Sequence, residues 1–390
     1  MKREELKYMT HYVHAKKIIL TDEVIEDGYL AIKDGKFDGV TLERPTDGDI
    51  LDYSEDTVAP GLVDTHIHGY VGHDVMDNEF KGIQEISEAL LACGVTSWLP
   101  TTLTAPTEQL NDVCQTIGDN YEDVAGAKIR GIFLEGPFFT EKYKGAQNLA
   151  YMSDPSIEKL KHWKDLSNDL VKKIAIAPER DGVKEFIEFA NTIGVKTALA
   201  HSDASYEEAK EAVDAGANIF VHTYNAMSGL HHRNPGMVGA ALGLDNVFAE
   251  LISDGHHVHP GAAQVVVKAR GPKETVLVTD CMRAGGLGDG ESMLGELEVI
   301  VKDGQARLKD GGNLAGSILR LNESVRNMFE WGIVSQADAL RMASYSPAKS
   351  VDIDDVCGQI KAGLDADFII VGEDLELKAT FLNGELKYKQ

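Results

Sequence analysis

The chain has 390 residues, 43% of them hydrophobic, and a formal net charge of −25. This length is sufficient for a large buried core. The negative charge argues against nucleic acid or an anionic membrane as a partner, because both would be repelled. The same charge means that an anionic substrate would need a local basic pocket. The four cysteines, Cys93, Cys114, Cys281 and Cys357, show no CxxC spacing and are interpreted as reduced thiols.

The N-terminal residues contain no apolar signal segment, and no stretch approaches the length of a membrane span. We therefore expect a soluble, cytoplasmic protein. Short alternating segments with Asp-Gly turns fill residues 1–57, and similar segments occupy residues 352–390. Neither end has enough strands to be stable alone, so the two ends are predicted to pair into one small β-sandwich domain.

Residues 58–351 alternate short apolar runs with amphipathic helical patterns, which predicts a parallel sheet with crossover helices. Eight runs have the character of buried strands: 58–68, 96–102, 129–136, 172–179, 195–201, 218–222, 247–255 and 275–280. The predicted fold class is therefore α/β, a (β/α)8 TIM barrel with a small β-sandwich. A glycine-rich insertion after the eighth run is expected to form a hairpin near the active site.

Five of these strands end in residue types that bind metals or transfer protons. The residues are His66, His68, Glu135, His201, His222 and Asp280. Catalytic residues project from the C-terminal ends of barrel strands, so all six are expected at one mouth. His66 and His68 alternate and so share a face, although a hydrogen-bonded histidine pair is the competing interpretation. Glu135 ends an apolar strand and needs a metal or a cationic partner to be buried.

Imidazole and carboxylate ligands suit zinc or iron(II). One glutamate with two histidines leaves an open position at the metal for substrate. Asp280 could take a proton from water and return it to a leaving group. A further metal ligand or a helix N-cap is its alternative role. The pattern as a whole predicts a metal-dependent hydrolase.

Several segments in order resemble the N-acetylglucosamine-6-phosphate deacetylase family of the amidohydrolase superfamily: APGLVDTHIHG, LEGPF, AHSDA, HTYNAMSGLHHRNPG, DGHHV, VTDCM and NLAGS. The resemblance extends from the barrel into the flanking sandwich segments. It implies that Glu135, His201 and His222 hold the principal divalent metal and that Asp280 is the general acid/base. It also implies a small phosphorylated amino sugar as substrate, and a homodimer.

The resemblance further assigns a substrate pocket. The family's phosphate positions match Asn225, Ala226, Arg233 and His257, and backbone N–H groups and a guanidinium are suitable ligands for phosphate. The remaining pocket positions match Ala146, Gln147, Leu314, Ala315 and Gly316. Without the family context, Arg233 would be interpreted as a surface arginine and His257 as a capping or core histidine.

Two features depart from the family pattern. Gln147 stands where many members have a histidine that contacts the reacting amide. Its NH2 can donate a hydrogen bond, but it cannot titrate near neutrality. Some members also lack the HxH pair and bind one metal. His66 and His68 are both present here, so the sequence is compatible with either one or two metal ions per chain.

The implied reaction is hydrolysis of N-acetylglucosamine 6-phosphate to acetate and glucosamine 6-phosphate, with a metal-activated water as nucleophile. One alternative is another amidohydrolase, such as an N-acetylgalactosamine-6-phosphate deacetylase or a cyclic amidase. A cyclic amidase of the dihydroorotase type would favour a carboxylated lysine between its metals, yet no lysine ends the strands that carry the site. A non-catalytic oligomer of the same fold is the other alternative, although it would be expected to have lost ligands that this chain retains.

Overall fold

The computed structural model describes residues 10–390, so the first nine residues of the predicted sandwich segment lie outside the described part. The N-terminal strands are β1 (His11–Ile19), β2 (Val24–Lys33), β3 (Lys36–Thr41) and β4 (Ile50–Pro60). The central strands are β5 (Leu62–Ile67), β6 (Gly69–Tyr70), β7 (His73–Asp74), β8 (Val95–Thr102), β9 (Lys128–Ile129), β10 (Ile132–Phe138), β11 (Val171–Ile176), β12 (Lys196–Leu199), β13 (Ile219–Phe220), β14 (Phe248–Leu251) and β15 (Thr275–Leu277). The remaining strands are β16 (Gly290–Leu294), β17 (Leu297–Lys302), β18 (Gln305–Leu308), β19 (Phe368–Val371), β20 (Leu377–Leu382) and β21 (Glu385–Lys389). The α-helices are α1 (Phe80–Leu90), α2 (Thr107–Asn120), α3 (Ile157–Leu166), α4 (Val183–Thr192), α5 (Tyr206–Asp214), α6 (Gly236–Gly243), α7 (Pro260–Arg270), α8 (Leu321–Glu330), α9 (Gln336–Met342) and α10 (Tyr345–Ser350).

Eight parallel strands form the barrel in the order β5, β8, β10, β11, β12, β13, β14 and β15. This order follows the chain, as expected when successive crossover units add one strand at a time. The ring closes where Ile67 pairs with Cys281 in a parallel bridge. Each of the eight predicted runs overlaps one of these strands, and the predicted (β/α)8 barrel is confirmed.

The barrel strands are continuous apolar runs in the sequence because both of their faces are buried. Every residue of β5, β8 and β10 is buried, because side chains pack into the barrel on one face and against helices on the other. The helices cover the sheet with one apolar stripe each. In α1 the stripe consists of Ile83, Ile86 and Leu90, spaced at about one helical turn.

Strands from both ends of the chain form one seven-stranded sheet, in the order β21, β20, β19, β4, β1, β2 and β3. The sheet folds over itself, since the ring of Phe37 on β3 lies 6.3 Å from the ring of Phe368 on β19. Phe368 also stacks on Phe381 at 4.4 Å, and these side chains belong to a core separate from that of the barrel. The predicted small sandwich built from both ends is confirmed.

A cluster of charges links the sandwich to the barrel. Lys128 Nζ lies 2.9 Å from Asp365 and 2.8 Å from Asp367, and Arg130 Nη2 lies 3.0 Å from Asp365. Strand β4 crosses the boundary predicted between residues 57 and 58, because its last residues still pair with β19. We propose the domains 1–57 with 352–390 and 58–351, with β4 running from one into the other.

The predicted insertion after the eighth barrel strand forms a three-stranded antiparallel sheet of β16, β17 and β18. Its residue Leu294 reaches the cavity at the barrel mouth. Within residues 10–390, the helices are all too short or too polar to cross a membrane.

Candidate active site

The six strand-end residues converge at the C-terminal mouth of the barrel. They form two groups, each with ligand atoms within 4.8 Å of one another: His66, His68 and Asp280, and Glu135, His201 and His222. Glu135 connects the groups, because its Oε1 lies 3.4 Å from His66 Nε2 and its Oε2 lies 3.2 Å from His68 Nε2. All six residues are buried, so the two groups make one continuous cluster.

The four imidazoles of the cluster share one orientation, with Nδ1 facing an oxygen atom that can accept its proton. These contacts are His66 with Glu250 Oε2 at 3.2 Å, His68 with the Thr101 carbonyl at 3.2 Å, His201 with the Tyr143 carbonyl at 2.9 Å, and His222 with the Asn225 carbonyl at 3.1 Å. Such bonds hold the proton on Nδ1 and leave the Nε2 lone pair pointing inward. Metal-ligating histidines are arranged in this way.

The inward-facing nitrogens fit a divalent ion. His201 Nε2 lies 3.2 Å from His222 Nε2, and two lone pairs at that distance repel unless a cation lies between them. His66 Nε2 is buried and has no hydrogen-bond partner within the described residues. Both groups contain the nitrogen and oxygen donors that zinc and iron(II) prefer.

The electrostatics of the cluster also favour a cation. Burial raises the pKa of Glu135, but the surrounding histidines, His66 foremost, outweigh burial and hold that pKa well below its usual value. Burial likewise raises the pKa of Asp280, and His66 and His68 more than reverse the effect. For His68, burial lowers the pKa while Asp280 and Glu135 raise it to about 10. Both carboxylates are therefore ionised at neutral pH and attract positive charge, which either a proton on His68 or a bound metal ion would supply.

Three of the cluster residues have an unusual backbone conformation. His201, His222 and Asp280 have φ values of 46°, 32° and 48°, in the left-handed region that residues other than glycine rarely adopt. Each such residue costs about 1–3 kcal/mol and persists only where the surrounding structure enforces it. These turns come directly after barrel strands, so the strain accompanies placement of the side chains in the mouth.

A cavity of about 390 Å³ opens over the cluster. The predicted substrate residues that line it are Ala146, Gln147, Asn225, Ala226, His257, Leu314 and Gly316. Ala315 is fully buried, between two residues that line the cavity. Arg233 is exposed, and its Nη1 contacts His232 Nε2 at 2.7 Å. The structure thus brings most of the predicted pocket together but does not bring Arg233 to the cavity.

Gln147 is held at both ends of its amide. Its Oε1 accepts a hydrogen bond from the Thr104 N–H at 2.8 Å, and its Nε2 donates to Glu135 Oε2 at 2.7 Å. A side-chain NH2 carries two hydrogens, so one N–H remains for a ligand in the cavity. Gln147 therefore orients Glu135 in addition to the substrate contact predicted for it.

The predicted phosphate-binding residues differ in whether their hydrogen-bond donors already have partners within the protein. His257 Nδ1 lies 2.6 Å from Asp254 Oδ2, which leaves Nε2 for a ligand. The Asn225 backbone N–H donates to the His222 carbonyl at 2.9 Å, so this donor is already used within its turn. Lys142 lines the same cavity and was not anticipated from the sequence; its Nζ pairs with Asp203 at 2.8 Å.

A buried ion pair below the cluster was also missed. Glu250 on β14 and Lys173 on β11 are fully buried and contact each other. The sequence did contain a signal, because Glu250 interrupts FAELI and Lys173 interrupts KKIAI. A charged residue within a buried strand requires a partner, but the pattern alone does not name that partner.

Known proteins are similar to this chain in sequence and in fold. The model of the Amidohydrolase family matches residues 57–387. Over 387 residues the chain is 37% identical to N-acetylglucosamine-6-phosphate deacetylase of Vibrio furnissii, covering 98% of this chain and 96% of that protein. It is 36% identical to N-acetylgalactosamine-6-phosphate deacetylase of Escherichia coli O157:H7, covering 97% of this chain and 99% of the relative. The solved structure of a mutant N-acetyl-D-glucosamine-6-phosphate deacetylase from Mycobacterium smegmatis, in complex with N-acetyl-D-glucosamine-6-phosphate, is similar with a TM-score of 0.91 and 28% identity, covering 98% of this chain and 100% of that chain.

The barrel, the buried cluster and the family match define a metal-dependent hydrolase, and the chain belongs to the amidohydrolase family. Within that family it is similar to amino-sugar-phosphate deacetylases over nearly its whole length, in sequence and in fold. The resemblance stated from the sequence is therefore confirmed.

Proposed function

We propose that this chain removes the acetyl group of N-acetylglucosamine 6-phosphate, releasing acetate and glucosamine 6-phosphate. One observation carries the proposal: the buried Glu135, His201 and His222 set lies with Asp280 beneath a cavity large enough for a small ligand. The substrate assignment draws on the relatives named for this reaction. The galactosamine epimer is the second candidate, since the relative named for it is nearly as similar in sequence.

We propose zinc or iron(II) as the ion of the Glu135, His201 and His222 set. A second ion would be held by His66, His68 and Asp280, next to the same glutamate. When bound, the principal ion lowers the pKa of a water molecule and polarises the amide carbonyl. The orphaned His66 nitrogen supports the second position.

The chain's own groups supply the proton transfers. Asp280 is ionised at neutral pH because its pKa is lowered, so it can accept the proton of the attacking water. It then returns that proton to the amine, which would otherwise be a very poor leaving group. The free N–H of Gln147 donates to the carbonyl oxygen as negative charge develops there.

The remaining pocket residues bind and orient the sugar phosphate. His257 offers Nε2 to the phosphate, and the turn at Asn225 and Ala226 lies at the same cavity. Arg233 follows that turn along the chain and is exposed outside the cavity, so it would contact the phosphate only if its side chain reached the cavity mouth. These donors would counter the repulsion that a net charge of −25 imposes on a dianion. Leu314, Ala315 and Gly316 form the loop beside the sugar ring.

We also propose a homodimer located in the cytoplasm. The four cysteines are buried and free, as expected in a reducing compartment. Size-exclusion chromatography with light scattering would measure the oligomeric state directly.

Acetate release by the metal-loaded protein tests the proposed reaction. The substrates are N-acetylglucosamine and N-acetylgalactosamine, each with and without a 6-phosphate. We expect the highest kcat/KM for N-acetylglucosamine 6-phosphate. A preference for the galactosamine ester would reassign the sugar, and no release from any substrate would overturn the deacetylase assignment.

A further inference from the structure

The barrel interior below the metal cluster contains a fully buried ion pair, Lys173 and Glu250, whose side chains are both 0% exposed. The two oxygens of Glu250 have different partners. Oε1 contacts Lys173 Nζ, while Oε2 lies 3.2 Å from His66 Nδ1. Oε2 is also 3.4 Å from the backbone N–H nitrogen of His222. Glu250 thus joins a buried ammonium to a histidine of the metal cluster.

Lys173 is fixed by several contacts and is itself no metal ligand in this arrangement. Its Nζ lies 3.7 Å from the centroid of the Phe133 ring and 3.5 Å from the Thr65 carbonyl oxygen. Phe133 in turn meets the His66 ring edge-on, with 5.0 Å between centroids. His66 is therefore held by Glu250 through its Nδ1 atom and by Phe133 through ring packing.

Packing alone does not account for this pair. Interiors of such barrels are filled mainly by branched apolar side chains, and apolar residues often replace a buried ion pair without loss of stability. The pair gives each of the two charges a counterion inside the barrel, so neither is left as an unpaired buried charge. A carboxylate that accepts the Nδ1 proton of a histidine fixes its tautomer and strengthens Nε2 as a metal ligand.

We propose that Glu250, paired with the buried Lys173, positions His66 for a second metal ion shared with His68 and Asp280. The inference rests on the proposed function only in treating the cluster as a metal centre. The principal ion should depend little on the pair, because His201 and His222 take their Nδ1 acceptors from the Tyr143 and Asn225 carbonyls.

Two double variants test the proposal. Glu250→Leu with Lys173→Met removes both charges together with the acceptor, whereas Glu250→Gln with Lys173→Met removes the charges but keeps an acceptor of similar shape. Zinc per chain is measured by elemental analysis, the affinity of each ion by competition with a chelator, and stability by thermal unfolding of the metal-free proteins. Changing both partners avoids leaving one buried charge without its counterion.

We expect two ions in the wild type. The leucine variant should bind the second ion about 10- to 100-fold more weakly than the wild type and the first ion with unchanged affinity. The second-ion affinity of the glutamine variant should lie between those of the wild type and the leucine variant. The metal-induced rise in Tm should shrink in the same order. A purely structural pair would instead lower the Tm of the metal-free protein and leave the second-ion affinity unchanged.

The proposal is overturned by a single ion in the wild type, by unchanged second-ion affinity in the leucine variant, or by loss of both ions together. Equal losses in the two double variants would also overturn positioning through the hydrogen bond. Acetate release plays no part in these measurements. If the substrate assignment is wrong, the predicted ion affinities still hold. If the role of Glu250 is wrong, the acetate assay still tests the reaction.

Discussion

The backbone N–H of Asp280 donates a hydrogen bond to the carbonyl of His66 at 2.8 Å. This bond joins the chain after the eighth barrel strand to the end of the first strand. It also brings Asp280 Oδ1 to 3.2 Å from His68 Nε2. Closure of the barrel therefore places the proposed acid/base beside two proposed metal ligands. The main chain makes the closing bond, so the carboxylate is free to contact a metal ion or a water molecule.

Asp280→Asn should separate the structural role of the Asp280 backbone from the proton-transfer role of its carboxylate. The variant keeps the backbone N–H and should fold, but an amide cannot accept and return a proton. We expect kcat to fall by about 10²–10⁴-fold, the usual scale for general acid/base catalysis. The measurement is acetate release, with metal content and Tm as controls. Near wild-type turnover with the principal ion in place would refute the role of Asp280.

The metal count can be tested at the ligands themselves. A His66→Gln, His68→Asn double variant removes two nitrogens from one group and leaves Glu135, His201 and His222 intact. Elemental analysis should give about two ions per wild-type chain and one in the variant, since three protein donors define a site. One ion in both proteins would mean that the histidine pair serves structure or substrate. Turnover by the one-ion variant would place the chemistry at the Glu135 set.

The barrel and the position of its mouth could be predicted because both follow from local pattern. In a parallel barrel, chain direction alone decides which strand ends meet. His66 and Asp280 could thus be assigned to one mouth although they lie far apart in sequence. The sandwich was predictable for a related reason, since neither chain end has enough strands alone.

Contacts that depend on barrel stagger or loop conformation could not be predicted. Lys173 and Glu250 meet inside the barrel only at the stagger that the closed ring adopts, which the apolar pattern does not specify. Gln147 lies in a loop, so its bond to Glu135 depends on a path that periodicity does not encode. The family resemblance assigns Arg233 to the pocket, yet the residue lies exposed in the structure.

Gln147 provides a further test, because it stands where many family members have histidine. Gln147→Ala removes a donor to the carbonyl oxygen and leaves Glu135 Oε2 and the Thr104 N–H without this partner. We expect kcat to fall by up to about 10²–10³-fold, the range for loss of one oxyanion donor. Gln147→His is the matched variant and should recover part of the loss. Full activity of the metal-loaded alanine variant would show that this amide does not assist the reaction.

The charge cluster between sandwich and barrel predicts a pH-dependent contribution to stability. Burial raises the pKa of Asp365, but Lys128 and Arg130 more than reverse the effect and lower it. A lowered folded-state pKa adds stability above the unfolded-state pKa, and this stability is lost as the pH falls further. Asp365→Asn should therefore lower the Tm at pH 7, and its deficit should shrink below about pH 4. Asp22→Asn, in an exposed pair with Lys273, is the control and should change little. A deficit that does not vary with pH would contradict the electrostatic origin.

Arg233 tests how the chain recognises phosphate. An arginine–phosphate contact is worth roughly 1.5–3 kcal/mol, and the exposure of Arg233 places its effect at the lower end because solvent and salt screen it. Arg233→Ala should raise the KM for N-acetylglucosamine 6-phosphate about tenfold, less so at high salt, and should barely affect the unphosphorylated sugar. Arg326→Ala removes an equally charged side chain that pairs with Glu330 on α8, so it is the matched control for the loss of one positive charge. An equal loss on both substrates would mean that Arg233 supports the fold or the metal site instead. An unchanged KM for the phosphate ester would leave His257 and the turn at Asn225 and Ala226 as the phosphate donors.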